Sequence, residues 1–222
     1  LGKNTKPLEI FMSMEKEVSF KTNKTYSTLN TIDKNQNIWF ACHGIGQLSH
    51  YFLNNFLNIP KEKNYIIAPQ APSKYYHSTQ TKRVGACWLT KENTQIEQHN
   101  IFRYFDEILN QEKPVIPNIF MGFSQGVSVM LRYLVYKKLN VNDIVIMSGK
   151  IPEELKESDF NFLSKKTKVW LSYGLSDPLL NNKLLDVEIN KSRQLFGKRL
   201  NIIAFDGKHE IDQELILNLG NS

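Results

Sequence analysis

The sequence predicts an α/β fold, with a mostly parallel central sheet, helices on both of its faces and an N-terminal antiparallel hairpin. Three observations carry that prediction. Short, nearly continuous apolar runs recur at 37–42, 65–68, 118–121, 144–147, 169–173 and 200–205, the pattern of strands buried on both faces. Segments with apolar residues at helical spacing separate several of them. The chain has 222 residues, 41% hydrophobic and 11% aromatic, which is enough to close one core of this design as a single domain over 1–222.

Taken in order, residues 17–29 alternate loosely around Asn23-Lys24, as an antiparallel hairpin would. The run 37–42 ends at His43-Gly44, and 48–57 then places Leu48, Tyr51, Phe52 and Phe56 near helical spacing before Pro60 stops it. The strand at 65–68 closes at Pro69. Residues 72–91, with Pro72, Gly85 and many polar residues, are expected to be an irregular loop. A helix is expected from Thr94, with Ile101, Phe105 and Ile108 on one stripe. The strand at 118–121 runs into Gly122-Phe123-Ser124-Gln125-Gly126, and 127–139 reads as the helix behind it. A helical stretch over 184–195 leads to the last strand, and 214–219 forms a short closing helix.

Charge excludes less than it suggests. Lys+Arg 28 against Asp+Glu 22 leaves a net charge of +6, a balance that can mark a nucleic-acid binder. The excess is lysine, scattered in short clusters such as Lys137-Lys138 and Lys165-Lys166, and arginine is scarce. Arginine is the residue that reads phosphate and guanine with two parallel bonds. The charge is therefore a solvated background, and no nucleic-acid partner is expected. No apolar run approaches the roughly 18 residues that span a bilayer. Cys42 and Cys87 have no metal-ligand spacing and imply no bridge. The chain opens Leu1-Gly2-Lys3-Asn4 without an apolar signal region, so a cytoplasmic location is the default expectation.

The chemistry lies at the strand ends. Gly122-x-Ser124-x-Gly126, between a strand and a helix, is the pattern of a serine exposed on a strained turn, with small residues that let strand and helix approach. A serine at its own pKa needs a base, and the base needs a third group to orient it. Downstream of Ser124 the sequence contains one histidine, His209, in the loop after the last strand. Among the acids, Asp177 directly follows the strand at 169–173 and reaches the same sheet edge. Asp143 precedes its strand and belongs at the opposite edge, while Asp206 is a local turn residue. His43-Gly44-Ile45-Gly46 forms a tight loop after the first buried strand, with amides free to face the site. The backbone N–H groups of Gln125 and Ile45 are the expected pair of oxyanion donors. His43 precedes the serine and is expected to hold its loop by hydrogen bonds. His50, His77 and His99 share no metal-ligand spacing. Tyr75, Tyr76, Trp88 and Leu89 are candidates for lining an acyl groove, with Trp88 the substrate-binding residue singled out.

These motifs together resemble the phospholipase/carboxylesterase group of α/β-hydrolases, which includes the acyl-protein thioesterases. The matching residues are His43-Gly44-Ile45-Gly46, Tyr65-Ile66-Ile67-Ala68-Pro69 with Ala71-Pro72, Trp88, Gly122-Phe123-Ser124-Gln125-Gly126, Gly174-x-x-Asp177-Pro178 and Gly207-x-His209-Glu210. They run in order from about residue 38 to 212. The resemblance implies the α/β-hydrolase fold, esterase or thioesterase activity, no cofactor or metal, and a site without a cap domain. The chain departs from the family pattern at Val127, where a further glycine is usual, and at Gln47, where an aspartate is usual. A third departure is Leu89-Thr90, where an aromatic residue and an acid usually follow the tryptophan. The expected function is cleavage of carboxylic esters or thioesters through Ser124, His209 and Asp177. A non-catalytic relative that binds a ligand or partner, and a peptidase or acyltransferase, use the same fold and stay open as alternatives.

Overall fold

The computed structural model describes residues 14–32, 36–78, 80–113, 116–180 and 182–222; the opening residues read above for a signal lie outside these. Nine strands form, in chain order: β1 (Tyr26–Leu29), β2 (Asn37–Cys42), β3 (Asn64–Pro69), β4 (Ser73–Tyr76), β5 (Val84–Cys87), β6 (Ile119–Phe123), β7 (Asp143–Met147), β8 (Lys168–Gly174) and β9 (Leu200–Phe205). The helices are α1 (Ser49–Phe52, continued by a 3₁₀ turn over Leu53–Phe56), α2 (Thr94–Gln111), α3 (Gln125–Lys137), α4 (Asn182–Phe196) and α5 (Gln213–Asn221). Seven strands make the main sheet in the order β1-β3-β2-β6-β7-β8-β9. Every pairing in it is parallel except β1 with β3.

Strand alternation divides the core between the two faces. Phe40, Ile67, Phe120 and Ile144 point to one side, where they pack with Phe105 of α2 and with Met130 and Leu134 of α3. Trp39, Ile66, Met121 and Val145 point to the other, against Phe56 of the 3₁₀ turn and Leu215 and Ile216 of α5. Both faces are covered, which is why these strands read as apolar runs rather than as alternating ones. No helix among the described residues is long and apolar enough to cross a membrane.

Strand order also locates the site. After β2 the chain crosses to β3 on one side of the sheet, whereas β6 lies on the other side of β2 and leads outward to β7. The loops leaving β2 and β6 therefore part company at their carboxyl ends and open a crevice, the position at which open parallel sheets bind ligands.

Two local expectations are corrected. An N-terminal antiparallel pair is present, but its members are β1 and β3, in the register Ser27 to Ala68. Residues 17–21 are not a strand, and Val18 and Phe20 are largely exposed. A free-standing two-stranded hairpin is marginal, and the edge of β3 offers β1 a ladder already backed by the core. The segment 72–91 is not irregular throughout. It contains the β4–β5 hairpin, paired from Ser73 with Cys87 to Tyr76 with Val84.

Candidate active site

The nucleophile turn begins where β6 ends. Ser124 has φ 52 and ψ −120, a conformation that costs a non-glycine residue about 1–3 kcal/mol. It is held there because its N–H still donates to Met147 O at 2.9 Å, continuing the β6–β7 ladder, while α3 starts at the next residue. Close approach explains the glycine two residues on. A Cβ at position 126 would lie 2.1 Å from Cys42 O, so only glycine lets α3 begin this near β2.

Asp177 and His209 arrive from the ends of β8 and β9. His209 Nε2 lies 2.9 Å from Ser124 Oγ, and His209 Nδ1 lies 2.7 Å from Asp177 Oδ2. A carboxylate only accepts, so Nδ1 carries the hydrogen bonded to Asp177, and Nε2 faces the serine hydroxyl. The Asp177 side chain is fully buried, and its Oδ1 accepts from Leu179 N at 2.8 Å. The loops bearing the pair are cross-linked. Leu175 N donates to Phe205 O, and Ser176 N donates to Gly207 O, both at 2.9 Å. A Cβ at Gly174 would stand 2.2 Å from Lys208 O, so glycine is required where these loops cross. Phe123 lies beside the His209 ring, with centroids 5.0 Å apart.

The turn after β2 supplies the opposite wall. Ala71 N donates to His43 Nε2 at 3.1 Å, which leaves Nδ1 to carry the ring hydrogen and donate to Gly44 O at 2.8 Å. Gly44 O and the Ile45 N–H are the two ends of one trans peptide. Pulling the carbonyl toward the buried imidazole aims the N–H the other way. Burial holds His43 down at about 4, against an ordinary value of 6.5, so the ring is neutral as this arrangement requires. The Ile45 N–H makes no hydrogen bond among the described residues. Gln125 N–H is the first of α3 and has no residue one turn back to bond to. Gln47 Oε1 accepts from Gly44 N at 2.8 Å, so the glutamine that departs from the family pattern closes the turn as an acceptor.

Trp88 does not line a groove. It is 1% exposed and sits in the core beside Phe105, and its indole N–H donates to His43 O at 2.7 Å. Its contribution is to anchor the Ile45 turn from below. Tyr75 and Tyr76 are exposed on the hairpin. Leu89 is reached through its carbonyl, which accepts from Gln125 Nε2 at 2.7 Å, so its side-chain departure leaves this bond intact.

Three contributions lay outside the sequence reading. The Gln125 side chain accepts from Trp88 N at 2.8 Å and so ties the 87–89 segment to the nucleophile turn. Asp212 accepts from Ser172 Oγ at 2.6 Å and from Leu215 N at 3.0 Å, which anchors the loop behind His209 to β8 and starts α5. Ser148, at the end of β7, has φ 46, and its N–H donates to Ser172 O. An acid three residues after the histidine and before an apolar run was the one available signal, an N-cap for Asp212. Asp143 lies at the opposite edge as expected, accepting from Trp170 Nε1 at 2.7 Å. His50 packs at a tilt against Tyr51, His99 bonds Gln95 O, and His77 bonds Gly46 O. No group of three or more His, Cys, Asp or Glu among the described residues is arranged to hold a metal. Cys42 and Cys87 are free thiols, and burial pushes the Cys42 thiol far up.

Comparison with solved structures finds the same architecture in several proteins. Acyl-protein thioesterase 2 of Zea mays superposes with a TM-score of 0.66 at 14% identity, over 90% of this chain and 97% of that one. A carboxylesterase of Bacillus cereus gives 0.62 at 12% identity, over 89% and 92%. A phospholipase/carboxylesterase of Dyadobacter fermentans gives 0.58 at 20% identity, over 93% and 99%. At these identities the likeness is one of fold. Comparison with curated protein sequences gives no match. The family model described as phospholipase/carboxylesterase matches residues 23–221, nearly the whole chain and every residue of the site, and the protein belongs to that family of hydrolases.

Proposed function

We propose that the protein is a serine hydrolase that cleaves carboxylic esters or thioesters through an acyl-enzyme. The observation that carries this reading is the unbroken chain of hydrogen bonds from Asp177 through His209 to Ser124. Ser124 Oγ attacks the acyl carbon while His209 Nε2 takes its proton. Asp177 keeps the ring in the required tautomer and stabilises its cation. The carbonyl oxygen becomes an oxyanion facing the Ile45 and Gln125 amides, each worth about 3–4 kcal/mol to the transition state. His209 then protonates the departing alcohol or thiol, and water repeats the sequence on the acyl-enzyme. The acyl chain is placed among the exposed side chains of Ile45, Leu175 and Leu179, each within two residues of an oxyanion donor or Asp177.

A strained serine whose hydroxyl is hydrogen-bonded to an imidazole that is itself held by a buried carboxylate favours catalysis over passive binding, and the folds it resembles favour ester and thioester substrates. A panel of acyl esters and thioesters of graded chain length tests the reading on wild type and Ser124→Ala. Wild type should turn over at least one series, with the variant slower by about 10⁴-fold or more. Near-wild-type turnover by Ser124→Ala would overturn it.

A further inference from the structure

Between the Ile45 turn and the β4–β5 hairpin lies a cleft of about 670 Å³, walled by Gln47, His50, Tyr51, Asn55, Lys82 and Arg83. Arg83 also borders a second cleft of about 490 Å³, which adds Ile45 and the hydroxyl residues Ser78 and Thr81. Among the described residues no carboxylate lines either cleft. Neither the Lys82 ammonium nor the Arg83 guanidinium has a hydrogen-bond or ion-pair partner among the described residues. Two other arginines of this arginine-poor chain have structural work. Arg132 pairs with Glu154, and Arg199 binds the carbonyls of Leu163 and Ser164. Two adjacent cations in a concave cleft whose described lining carries no carboxylate focus a positive potential there.

The cleft lies close to Ser124 along the chain. Gly46, which lines both cavities, donates its N–H to Ala86 O at 2.7 Å and accepts from His77 Nε2 at 3.0 Å. The turn and the hairpin therefore form one wall. Gly44, two residues back, packs against Ser124, and two residues span at most about 7 Å. An ester whose carbonyl oxygen rests on Ile45 N–H can thus extend a substituent into the cleft.

We infer that this cleft is a subsite for an anionic group on the substrate, a carboxylate or phosphate held by Arg83 and Lys82. The inference deepens the esterase reading and rests on it for its kinetic test. Three chromogenic esters separate the cases: 4-nitrophenyl hexanoate is neutral, mono-4-nitrophenyl adipate carries a carboxylate on the acyl part, and the hexanoate ester of 3-hydroxy-4-nitrobenzoate carries one on the leaving group. One anionic ester should exceed the neutral one in kcat/KM by about ten-fold, the scale of one charge-assisted contact, and which one identifies the portion recognised. The ratio should collapse in the double variant Lys82→Gln/Arg83→Gln, partly recover in Arg83→Lys with Lys82 intact, and fall with added salt. A ratio near one, or a ratio the double variant leaves unchanged, overturns the subsite while leaving the esterase reading standing. If no ester is turned over, the esterase reading fails and binding decides the subsite. Equilibrium dialysis of Ser124→Ala protein should then retain 4-nitrobenzoate over 4-nitrobenzyl alcohol, with the preference lost when Lys82→Gln and Arg83→Gln are added. Equal retention of the two overturns it.

Discussion

The triad and the turn that carries Ile45 lie on one rim of the sheet but are held in different ways. The triad loops are extensions of the strand ladder. Ser124 N, Ser148 N, Leu175 N and Ser176 N each donate to a backbone carbonyl of the neighbouring strand or loop. The Ile45 turn is held chiefly by side chains, two of them local and two distant in sequence: His43 on Gly44 O, Gln47 on Gly44 N, Trp88 on His43 O and His77 on Gly46 O. Backbone-built geometry tolerates changes of side chain, whereas side-chain-built geometry can be retuned one residue at a time. Of the departures from the family pattern, Gln47 and Leu89-Thr90 belong to the turn and the segment that supports it, and Val127 is packed in the core behind the elbow. In the proposed mechanism the backbone-built side carries the nucleophile, base and acid, and the side-chain-built side carries one oxyanion donor, which neighbouring side chains can retune.

Substitutions test that division, from the largest expected effect to the smallest. His209→Ala should lower kcat/KM by about 10⁴-fold or more and leave the melting temperature nearly unchanged, because the ring is not part of the ladder. A loss below a hundred-fold would mean that the backbone-built half is not the chemical half. Gly174→Ala forces a Cβ against Lys208 O and should cost about 3–4 kcal/mol, seen as a fall of roughly 10 °C in Tm. If Tm holds and activity alone falls, the crossing of the two loops positions the acid without supporting the fold.

On the other side of the crevice, His43→Leu keeps an apolar filling but releases the Gly44 carbonyl. It should lower kcat about 10–100-fold with little change in KM, since the oxyanion donor is misaimed rather than removed. The same residue sets a pH dependence of stability. His43 has an ordinary pKa of 6.5 when unfolded and about 4 when folded, so acid protonates the unfolded chain first. The stability contributed by the neutral ring is complete above 6.5 and is lost as the pH falls to about 4, some 3 kcal/mol in all. Denaturant unfolding across that window should show the loss in wild type and lack it in the leucine variant. Trp88→Phe keeps the core and removes one bond to His43 O, so about 1 kcal/mol of stability should go. Acyl chain-length preference should stay as it is; a changed preference would return Trp88 to the substrate groove.

How much of this was legible in the sequence follows the same division. Ser124 between an apolar run and a helix, His209 as the last histidine, and Asp177 directly after a strand were all readable, because strand ends bring such residues to one edge whatever lies between them. The hairpin at β4–β5 was not legible, because Ser73-Lys74-Tyr75-Tyr76 and Val84-Gly85-Ala86-Cys87 are too short and too mixed to alternate. Nor was the part played by Trp88. An aromatic residue on a loop reads alike whether it faces substrate or core, and what decides it is a bond spanning 45 residues. The pairing of β1 was missed because residues 17–21 offered a nearer partner by pattern than the true one at β3.

The central claim is that Ser124 is the nucleophile, activated by His209. A fluorophosphonate probe followed by intact mass and peptide mapping tests it most directly. One phosphonyl adduct should form, it should map to Ser124, and it should be lost in Ser124→Ala and greatly slowed in His209→Ala. An adduct that maps elsewhere, labelling undiminished in Ser124→Ala, or no adduct on the wild-type protein would contradict the account.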